Sequence, residues 1–514
     1  MKKISILLTL ALCVSVFFCS CGTQKDKTDS SGTKDTRAAY SAPKNIISTE
    51  EYRNQLKSLM SSVENFGTAD DAYMKKLSDL TDKLKDSITY NEDDIKTADG
   101  TIYYVSTDGN DENDGKSEKT PWASLDKVSS FEFKEGDLVL FKRGDSWRGS
   151  LGVKSGIAYS AYGKGYKPRI LAANEAHTLG NWVQTDKENV WKLDKKIIQN
   201  DLGFILLTDK DGKEICCSKK TKHSKLSKNF DFVYGGATVE DGRPDMYVYL
   251  YYDGGNPGDV FPNIELPMKI AVIIPPAGIQ NLTLNNLELL YGADAFWTSD
   301  AKNILISYCT MGWSGGFADK KGASRYYGGS GVWHGCDNFV YDHCYIYQQY
   351  EPGISPQYIG EGNKSESFFK DFIVKDSLFD SCEWTLEYYS SQNDYDNNGF
   401  DGLYFGYNIC INGGRGLGGE KASTSCYIQS WNHEGPTVNS TIEYNVFDRA
   451  ASETLNVGTT DNKIPKLSNN LYIQFNNKKF GRVNSISYQY TKSDLEKYID
   501  TGVETNPVFL FAEK

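Results

Sequence analysis

Glutamates, aromatic rings and oxygen-bearing side chains are concentrated in one short stretch, CEWTLEYYSSQNDYDNNGFDG, which runs from Cys382 to Gly402. The residues of its first half that could act on a ligand are Glu383, Trp384, Glu387, Tyr388 and Tyr389. Carboxyl groups can give and take protons while a bond is cleaved, and aromatic rings can pack on the flat apolar faces of a ligand. The stretch is therefore a candidate catalytic site, provided that the fold brings a second carboxyl group close to it.

The second half of the stretch has the pattern of a cation-binding loop. Asp394, Asp396 and Asn398 occupy alternating positions before Gly399, as at the start of a calcium loop of the D-x-[DN]-x-[DN]-G type. Phe405 stands where that loop would place its last acidic ligand. A turn rich in Asp and Asn explains the same residues. The sequence leaves two alternatives, a calcium site and a plain turn, and it points to no required cofactor.

The amino terminus, MKKISILLTLALCVSVFFCSCGTQ, predicts export. Two lysines precede an apolar run from Ile4 to Phe18, which is typical of a secretory signal peptide and too short for a stable membrane span. The residues before Cys21 resemble the lipobox of bacterial lipoproteins, which implies cleavage before Cys21 and lipidation of its thiol. We expect a signal peptide over 1–21, a disordered tether over 22–45 and a lipoprotein held at the cell surface. An ordinary cleaved signal peptide is the alternative.

The composition narrows the classes of partner. A net charge of -12 without a basic stripe argues against a nucleic-acid partner. Aromatic residues make up 13% of the chain and there are 47 glycines, a mixture that suits a β-rich protein offering flat rings to a ligand. The cysteines form no C-x-x-C pair and the five histidines lack zinc-like spacing, so no structural zinc site is expected.

A repeat begins near residue 281 and predicts the fold class. Six segments alternate apolar and polar residues, and each has a small, polar or leucine residue in one column: Leu287, Cys309, Cys344, Ser377, Asn408 and Asn445. Two positions later each segment has an apolar residue: Leu289, Met311, Ile346, Phe379, Cys410 and Phe447. Short strands that repeat without intervening helices form a β-solenoid, in which each coil covers the apolar face of its neighbour. A β-sandwich would not keep these columns in register.

Several segments resemble a known group of proteins. YYVSTDGNDENDGKSEKTPWASLDKV (103–128), GDLVLFKRGDSWRG (136–149), AYGKGYKPRI (161–170) and the C-terminal TKSDLEKYIDTGVETNPVF are similar to parts of the right-handed parallel β-helix proteins of the pectin-lyase-like superfamily. The resemblance implies an all-β, right-handed parallel β-helix in a secreted carbohydrate-active protein. Its expected partner is a polysaccharide or oligosaccharide substrate, and its expected contact with the membrane is through the lipid anchor alone.

The same patterns divide the chain into segments. We expect a helical segment over 46–100, the start of the β-helix over 101–178, a small inserted β domain over 179–265, β-helix coils over 266–465 and a C-terminal cap with a helix over 466–514.

A second short strand in each coil predicts which side chains face outward. Its expected inward column is Phe296, Val332, Ile354, Leu386, Leu417 and Leu455. The positions next to that column include Trp297, Trp333, Ser355, Glu387, Gly418 and Asn456, and those two residues further on include Gln357, Tyr389 and Glu420. This register places Glu420 one coil beyond Glu387, with backbones roughly 8 Å apart. That separation is near the range expected for the carboxyl pair of an inverting glycosidase.

The candidate site follows from these columns. The catalytic candidates are Glu387, Glu420, Glu351 and His334, with Glu383 and Asp294 at neighbouring corners. The candidate substrate-binding residues are Trp297, Trp333, Gln357, Trp384, Tyr388, Tyr389 and Arg415. The leading hypothesis is a surface-anchored glycoside hydrolase that uses two carboxyl groups. The alternatives are a polysaccharide lyase of the pectate type, which the scarcity of arginine disfavours, and a non-catalytic glycan-binding or adhesive protein.

Overall fold

The structure is a computed structural model, and it describes residues 32–34, 40–41, 46–242, 244–358, 367–390, 398–431, 435–457 and 463–513. The predictions for the signal peptide, for Cys21 and for Asp394 and Asp396 lie outside the described residues. No helix in the described part of the chain is long and apolar enough to cross a membrane.

The described chain is dominated by one parallel β-helix, as predicted, whose strands join a single 32-stranded sheet. Each coil has three faces. The first face contains Ile102–Val105, Leu138–Lys142, Ala158–Tyr162, Gln280–Asn285, Ser367–Lys375, Asn398–Asp401, Tyr404–Gly406, Thr437–Val438, Thr441–Glu443, Lys466–Ser468 and Glu504–Thr505. The second contains Gly67–Ala69, Asp145–Arg148, Arg169–Leu171, Glu288–Leu290, Thr310–Ser314, Ile409–Ile411, Val446–Asp448, Leu471–Gln474 and Val508–Ala512.

The third face carries the candidate site. It contains Leu151–Gly152, Ile273–Ile274, Tyr389–Ser390, Cys426–Gln429, Leu455–Val457 and Lys479–Val483, and Ile486–Gln489 pairs antiparallel with its last strand. Four long strands bend across two faces: Phe296–Ser307 and Ser330–Asp342 join the third face to the first, and Tyr345–Tyr358 and Leu378–Glu387 join the second to the third. A short strand, Thr33–Lys34, pairs antiparallel with Asp145–Arg148.

The apolar column predicted on the second face is confirmed residue by residue. Leu289, Met311, Ile346, Phe379, Cys410 and Phe447 pair in that order. All six are buried and belong to one hydrophobic core that runs along the solenoid. Because each coil repeats the same alternation, every coil buries the apolar edge of the coil before it.

A tight corner explains the small and polar column that precedes each of these strands. The residue before each column member has a positive φ, for example 51° at His343, 52° at Asp376 and 53° at Tyr444. A single left-handed residue turns the chain sharply, so the next side chain points into a narrow corner. Cys344, Ser377 and Asn445 are fully buried there.

Asparagines form an internal ladder in this corner. The Asn408 side chain donates to Asn445 Oδ1 over 3.1 Å, and the Asn445 side chain donates to Asn470 Oδ1 over 3.0 Å. The amides of Asn408, Asn445 and Asn470 also donate to the carbonyl oxygens of the preceding coils. These bonds satisfy polar groups that burial would otherwise leave unpaired.

Helices cover the second face and the C-terminal end of the solenoid. Thr49–Ser61 and Asp71–Thr89 pack their apolar sides on the second face, and Lys492–Asp500 lies at the C-terminal end. Arg53 donates to both carboxylate oxygens of Asp376, which fixes the first helix to a corner of the solenoid. The short helices are Leu125–Ser130, Ala176–Leu179, Pro257–Val260 and two 3-10 helices, His223–Lys225 and Gly416–Thr424.

The inserted region forms two small sheets. One contains Trp182–Gln184, Val190–Leu193, Val248–Tyr251, Asp231–Tyr234 and Ser218–Lys219, and the other contains Glu214–Cys216, Leu206–Thr208, Asn263–Pro267 and Ala173–Glu175. A hairpin of the solenoid, Phe317–Ala318 with Arg325–Tyr326, contacts this region. Asp201 accepts hydrogen bonds from Lys219 and from the backbone N–H of Ala318, so the insertion is tied to a loop of the third face.

The inward column predicted on the third face is wrong at two positions. The observed column is Phe296, Ser330, Ile354, Leu386, Ile428 and Leu455. Val332 does point into the core, as predicted, but it pairs with Thr298, and Ser330 is the partner of Phe296; the Ser330 hydroxyl is paired with the Tyr341 hydroxyl, at 2.7 Å, inside the core. Ile428 replaces Leu417 because residues 416–424 leave the coil as a 3-10 helix before the strand resumes at Cys426.

The internal ladder predicts a local loss of stability. Asn445→Ala removes the acceptor of the Asn408 amide and the donor to Asn470, and it leaves buried polar groups unpaired. We expect the free energy of unfolding to fall by about 2 kcal/mol or more. Denaturant unfolding followed by circular dichroism measures this loss. The matched variant Asn54→Ala, at an exposed position of the helix Thr49–Ser61, should cost less than about 1 kcal/mol. Equal losses of stability in the two variants would contradict the conclusion that the internal ladder stabilises the fold.

Candidate active site

Glu387 lies on the outward side of the third face, as predicted. Trp297, Gly331, Ser355, Glu387 and Gln429 occupy one outward column on successive coils. The Ser355 hydroxyl donates to Glu387 Oε2 over 2.8 Å, and the indole N–H of Trp431 donates to Glu387 Oε1. The side chain is 6% exposed. Strand pairing fixes its backbone, and two donors from different coils fix its carboxyl group.

Three further acidic residues lie at the corner that precedes this column. Asp294 comes just before Phe296–Ser307, Glu351 lies within Tyr345–Tyr358, and Glu383 lies within Leu378–Glu387. Asp294 accepts from the backbone N–H of Gly328 over 3.1 Å. The negative charge of Glu351 raises the pKa of the other three acids, so the four groups are electrostatically coupled. We call Asp294, Glu351, Glu383 and Glu387 the carboxylate cluster.

One cation on the 3-10 helix Gly416–Thr424, here called the cover helix, serves this cluster. Lys421 Nζ donates to Glu351 Oε1, and it lies 4.8 Å from the ring centre of Tyr350 and 5.7 Å from that of Trp384. The Thr424 hydroxyl donates to Glu383 Oε1 over 3.2 Å. The cover helix therefore closes the corner from outside and places an ammonium group among the acids.

Burial dominates the proton affinity of the cluster. It raises the pKa of Asp294, of Glu383 and of Glu387 to about 7 in each case. Burial also raises the pKa of Glu351, and the neighbouring Lys421 ammonium offsets part of that rise. A low-dielectric environment penalises the charged form of a carboxyl group, whereas an adjacent cation favours it. The site thus holds three acids that titrate near neutral pH and one acid paired with a cation.

One polar atom of the site lacks a partner among the described residues. Glu383 is fully buried, and its Oε2 makes no hydrogen bond, whereas its Oε1 accepts from Thr424. Trp297, by contrast, is hydrogen-bonded to Asp294, and this bond offsets part of the rise that burial causes in the Asp294 pKa. Leaving a buried polar atom unpaired costs stability, so such atoms in a native protein need an explanation. Binding of a ligand that supplies the missing partners is one such explanation.

Aromatic rings border the cluster on both sides. Trp431 is 43% exposed and lies edge-on to Trp384, with ring centres 5.3 Å apart. On the other side, the rings of Trp297 and Trp333 are 4.9 Å apart and both are half-buried. Gly331 gives Trp297 its room, because a Cβ at that position would lie 2.7 Å from the indole ring. Flat, partly exposed rings beside acids suit a ligand with apolar faces and polar edges.

The predicted partnership between Glu387 and Glu420 is wrong in its register. Glu420 lies on the cover helix and not in the outward column, where Gln429 is the neighbour of Glu387. Its side chain is about half exposed and pairs with Arg325 over 2.8 Å and with the Tyr350 hydroxyl. Arg325, and not Arg415, is the arginine that holds Glu420. The exposed Arg415 precedes the cover helix and acts electrostatically on Asp448.

Two predicted ligand-binding rings are covered. Tyr388 is fully buried and packs edge-on against Phe400, 5.5 Å away, so it belongs to the core. Trp384 is 6% exposed and donates to the Thr424 carbonyl oxygen over 3.0 Å, which places it under the cover helix. These two residues therefore support the site from behind.

The other candidates line the far edge of the third face. Trp333, Gln357 and Tyr389 share an outward column, and the Tyr389 hydroxyl donates to Gln357 Oε1. His334 lies at the following turn with its Nδ1 3.9 Å from Asp300 Oδ2 and its ring edge-on to Tyr358. Their roles stay predictions.

The structure describes one residue of the predicted calcium loop, Asn398. It is 1% exposed in the strand Asn398–Asp401, and its side-chain atoms have no hydrogen-bond partner among the described residues. Calcium binding stays a prediction. Among the described residues, one group of acids and histidine is close enough to share a metal ion: Asp342, His343 and Asp376. Lys375 already pairs with Asp342, and Arg53 pairs with Asp376. We therefore assign no metal to this group.

The site also contains residues that the sequence did not single out. Lys421 comes from the cover helix, Arg325 from a hairpin and Trp431 from the residues after a strand, and the stacking of the coils brings them together. The exposed tryptophan in SWNHEG was the available signal for Trp431. Nothing in the pattern around Lys421 marks it, because the glycine-rich segment has no periodicity.

No family model matches the chain. The chain is 34% identical over 130 residues to a lacto-N-biosidase from Bifidobacterium longum subsp. longum, and the match covers 22% of this chain and 8% of that protein. It is similar to the solved structure of XylC with xylose (12% identity, TM-score 0.42, covering 80% of this chain and 83% of that one). It is also similar to a lacto-N-biosidase of family GH136 from Eubacterium ramulus (14% identity, TM-score 0.34, covering 86% and 70%).

The buried cluster predicts an unusual dependence of stability on pH. Glu383 has a pKa of about 7 in the folded chain, whereas an unfolded glutamate titrates near about 4.3. Between these two values the folded chain binds more protons, so the free energy of unfolding falls as the pH rises. Glu383→Gln cannot titrate, and we expect it to lose less stability than the wild type between pH ~4.5 and pH ~7.5.

Thermal melting at several pH values measures this difference. Glu443→Gln, which removes a glutamate from the first face, is the control and should keep the wild-type dependence on pH. A Glu383→Gln variant whose melting temperature follows the wild-type curve at every pH would show that Glu383 does not titrate in this range.

Proposed function

We propose that the protein is a glycoside hydrolase whose active site is the carboxylate cluster. The observation that carries this proposal is the presence of several buried acids near neutral pKa, coupled to one another and bordered by partly exposed tryptophans. Hydrolysis of a glycosidic bond needs one protonated and one ionised carboxyl group on either side of the bond. The partial sequence similarity to a lacto-N-biosidase supports the same reaction class.

In the proposed mechanism Glu387 is the general acid. Burial keeps its proton on the carboxyl group near neutral pH, and Ser355 and Trp431 hold its orientation. It gives that proton to the leaving oxygen as the bond from this oxygen to the anomeric carbon breaks. Trp431, being exposed next to the acid, is placed to pack on a sugar ring.

Glu351 is the proposed second carboxyl group. The Lys421 ammonium favours the ionised form of Glu351, whereas Glu387 has no such ion pair among the described residues. A catalytic acid and base need environments that differ in this way, so that one carboxyl group keeps its proton and the other loses it. The ionised group acts at the anomeric carbon, either directly or by removing a proton from the attacking water. Asp294 and Glu383 are the other two carboxyl groups beside the bound sugar.

The charge of the site disfavours the lyase alternative. A lyase must neutralise the carboxylate of a uronate, which needs free cations or bound calcium. The two cations that act electrostatically on the cluster, Lys421 and Lys269, already pair with Glu351 and Asp319. A uronate would therefore find no free cation in the cluster, and an unpaired carboxylate is costly in a poorly solvated site.

Replacement of the proposed acid tests the reaction. We expect Glu387→Gln to lower kcat by about 10²- to 10⁴-fold, the usual contribution of a general acid. The assay follows release of reducing ends from aryl glycosides, a lacto-N-bioside, xylo-oligosaccharides and polygalacturonate, with the absorbance of unsaturated products recorded in parallel and with and without EDTA.

Glu443→Gln is the matched control for this assay and should keep wild-type activity. Wild-type activity in Glu387→Gln would reject the proposed acid, and unsaturated products would reject hydrolysis in favour of a lyase. Inhibition by EDTA would reveal a metal requirement. Binding of glycans with no turnover by the wild type would favour the non-catalytic alternative.

We also propose that the protein is exported and anchored through a lipid on Cys21. The support is the N-terminal sequence, with its apolar run followed by small residues and cysteine. In bacteria fed with labelled palmitate, the wild type should take up the label and Cys21→Ala should not. Cys13→Ala, within the apolar run, should remain labelled. Labelling of the Cys21→Ala variant would refute the anchor.

A further inference from the structure

A row of polar side chains continues along the third face beyond the carboxylate cluster. Gln429, Asn456 and Arg482 follow Glu387 in the same outward column, one residue per coil. Asn456 Nδ2 donates to Gln429 Oε1 over 3.1 Å, and Arg482 Nε donates to Asn456 Oδ1 over 3.1 Å. We call these three residues the outer ladder. Three coil steps of ~4.8 Å separate Glu387 from Arg482, so the row is ~14 Å long.

The outer ladder differs from the internal asparagine ladder because one of its side-chain donors has no hydrogen-bond partner within the described part of the chain. In the internal ladder each amide donates to a neighbouring coil and its oxygen accepts from a neighbour. In the outer ladder Gln429 is 1% exposed, and its Nε2 has no hydrogen-bond partner among the described residues. Gln429 is the strand neighbour of Glu387 on the next coil. A purely structural ladder would not leave a buried donor unpaired next to a reactive acid.

Exposure along the ladder changes in one direction. Gln429 is buried, Asn456 is half-buried and Arg482 is exposed. The row therefore runs from the covered acid at Glu387 out to solvent, as a binding path for an extended ligand must. The charges at its far end are mixed, because Glu453 is coupled electrostatically to Lys479 and Arg482. The path has no strong preference for an anion.

We propose that the outer ladder is a second binding region, which holds the units of a neutral, hydroxyl- or amide-bearing oligosaccharide that lie next to the cleaved bond. Side-chain amides offer a donor and an acceptor together, which matches the hydroxyl groups of sugars. The proposal rests on the proposed hydrolase in placing the cleaved bond at Glu387. It adds that the ligand lies along the solenoid axis and spans several coils.

Binding, measured apart from turnover, tests the ladder. The inactive Glu387→Gln protein is probed with an array of neutral and uronate-containing oligosaccharides graded from disaccharide to hexasaccharide, and affinities are then measured by calorimetry. We expect tighter binding of longer neutral chains. Asn456→Ala in the same background should weaken binding of the hexasaccharide by about fivefold, the usual effect of one hydrogen bond, and leave the disaccharide unchanged.

Lys370→Ala, an exposed change on the first face, is the control and should bind like the parent protein. A melting curve for each variant checks that it is folded. Equal effects of Asn456→Ala on short and long chains, a preference for uronates, or no binding at all would each overturn the ladder. Length-dependent binding in a wild type that hydrolyses nothing would instead reject the proposed hydrolase and keep the ladder.

Discussion

The hydrogen-bonded stacking of parallel coils is the constraint on which every other feature depends. Each strand of the third face pairs with the equivalent strand of the next coil, so residues far apart in sequence become neighbours about 4.8 Å apart. Ser355, Glu387 and Gln429 meet in this way although loops of different length separate them. The site is thus a product of register, and a change of one residue in register would turn Glu387 into the core.

The same stacking sets the electrostatics of the site. Residues from three coils bring Asp294, Glu351 and Glu383 to one corner, where mutual repulsion and burial both favour the protonated forms. At Glu351 a neighbouring ammonium group offsets part of the effect of burial. Lys421 supplies it from outside the solenoid, on a helix that departs from the coil because its glycine-rich sequence has no strand pattern. The cover helix, which lies outside the regular coils, thus supplies the cation of the site.

The sequence predicted the apolar column of the second face because all of its members are apolar and alternate with polar residues along each strand. The small and polar residues at the preceding corner marked where each strand begins. The sequence prediction failed on the third face for two physical reasons. Ser330 and Val332 both face the core, and the apolar Val332 was assigned the position in the column that the polar Ser330 occupies, where a tyrosine hydroxyl pairs with it. Leu417 suggested a strand where the chain leaves the coil, and this misplaced Glu420. Glu387 was placed correctly because Leu386 precedes it within an uninterrupted strand. Lys421 lies on the cover helix and Arg325 on a hairpin, both outside the coils, and no repeat pattern specifies their positions.

A raised pKa alone does not mark this site, as Glu504 shows. Burial also raises the pKa of Glu504 to about 7, but its carboxyl group accepts from Asn470, Tyr472 and Tyr498 within the C-terminal cap. Every oxygen there has a partner, and the group closes the end of the solenoid. The third face differs because Glu383 Oε2 and Gln429 Nε2 lack partners among the described residues. Buried acids with incomplete hydrogen bonding, beside exposed rings, are what separates a site that can accept a ligand from one that only holds the fold together.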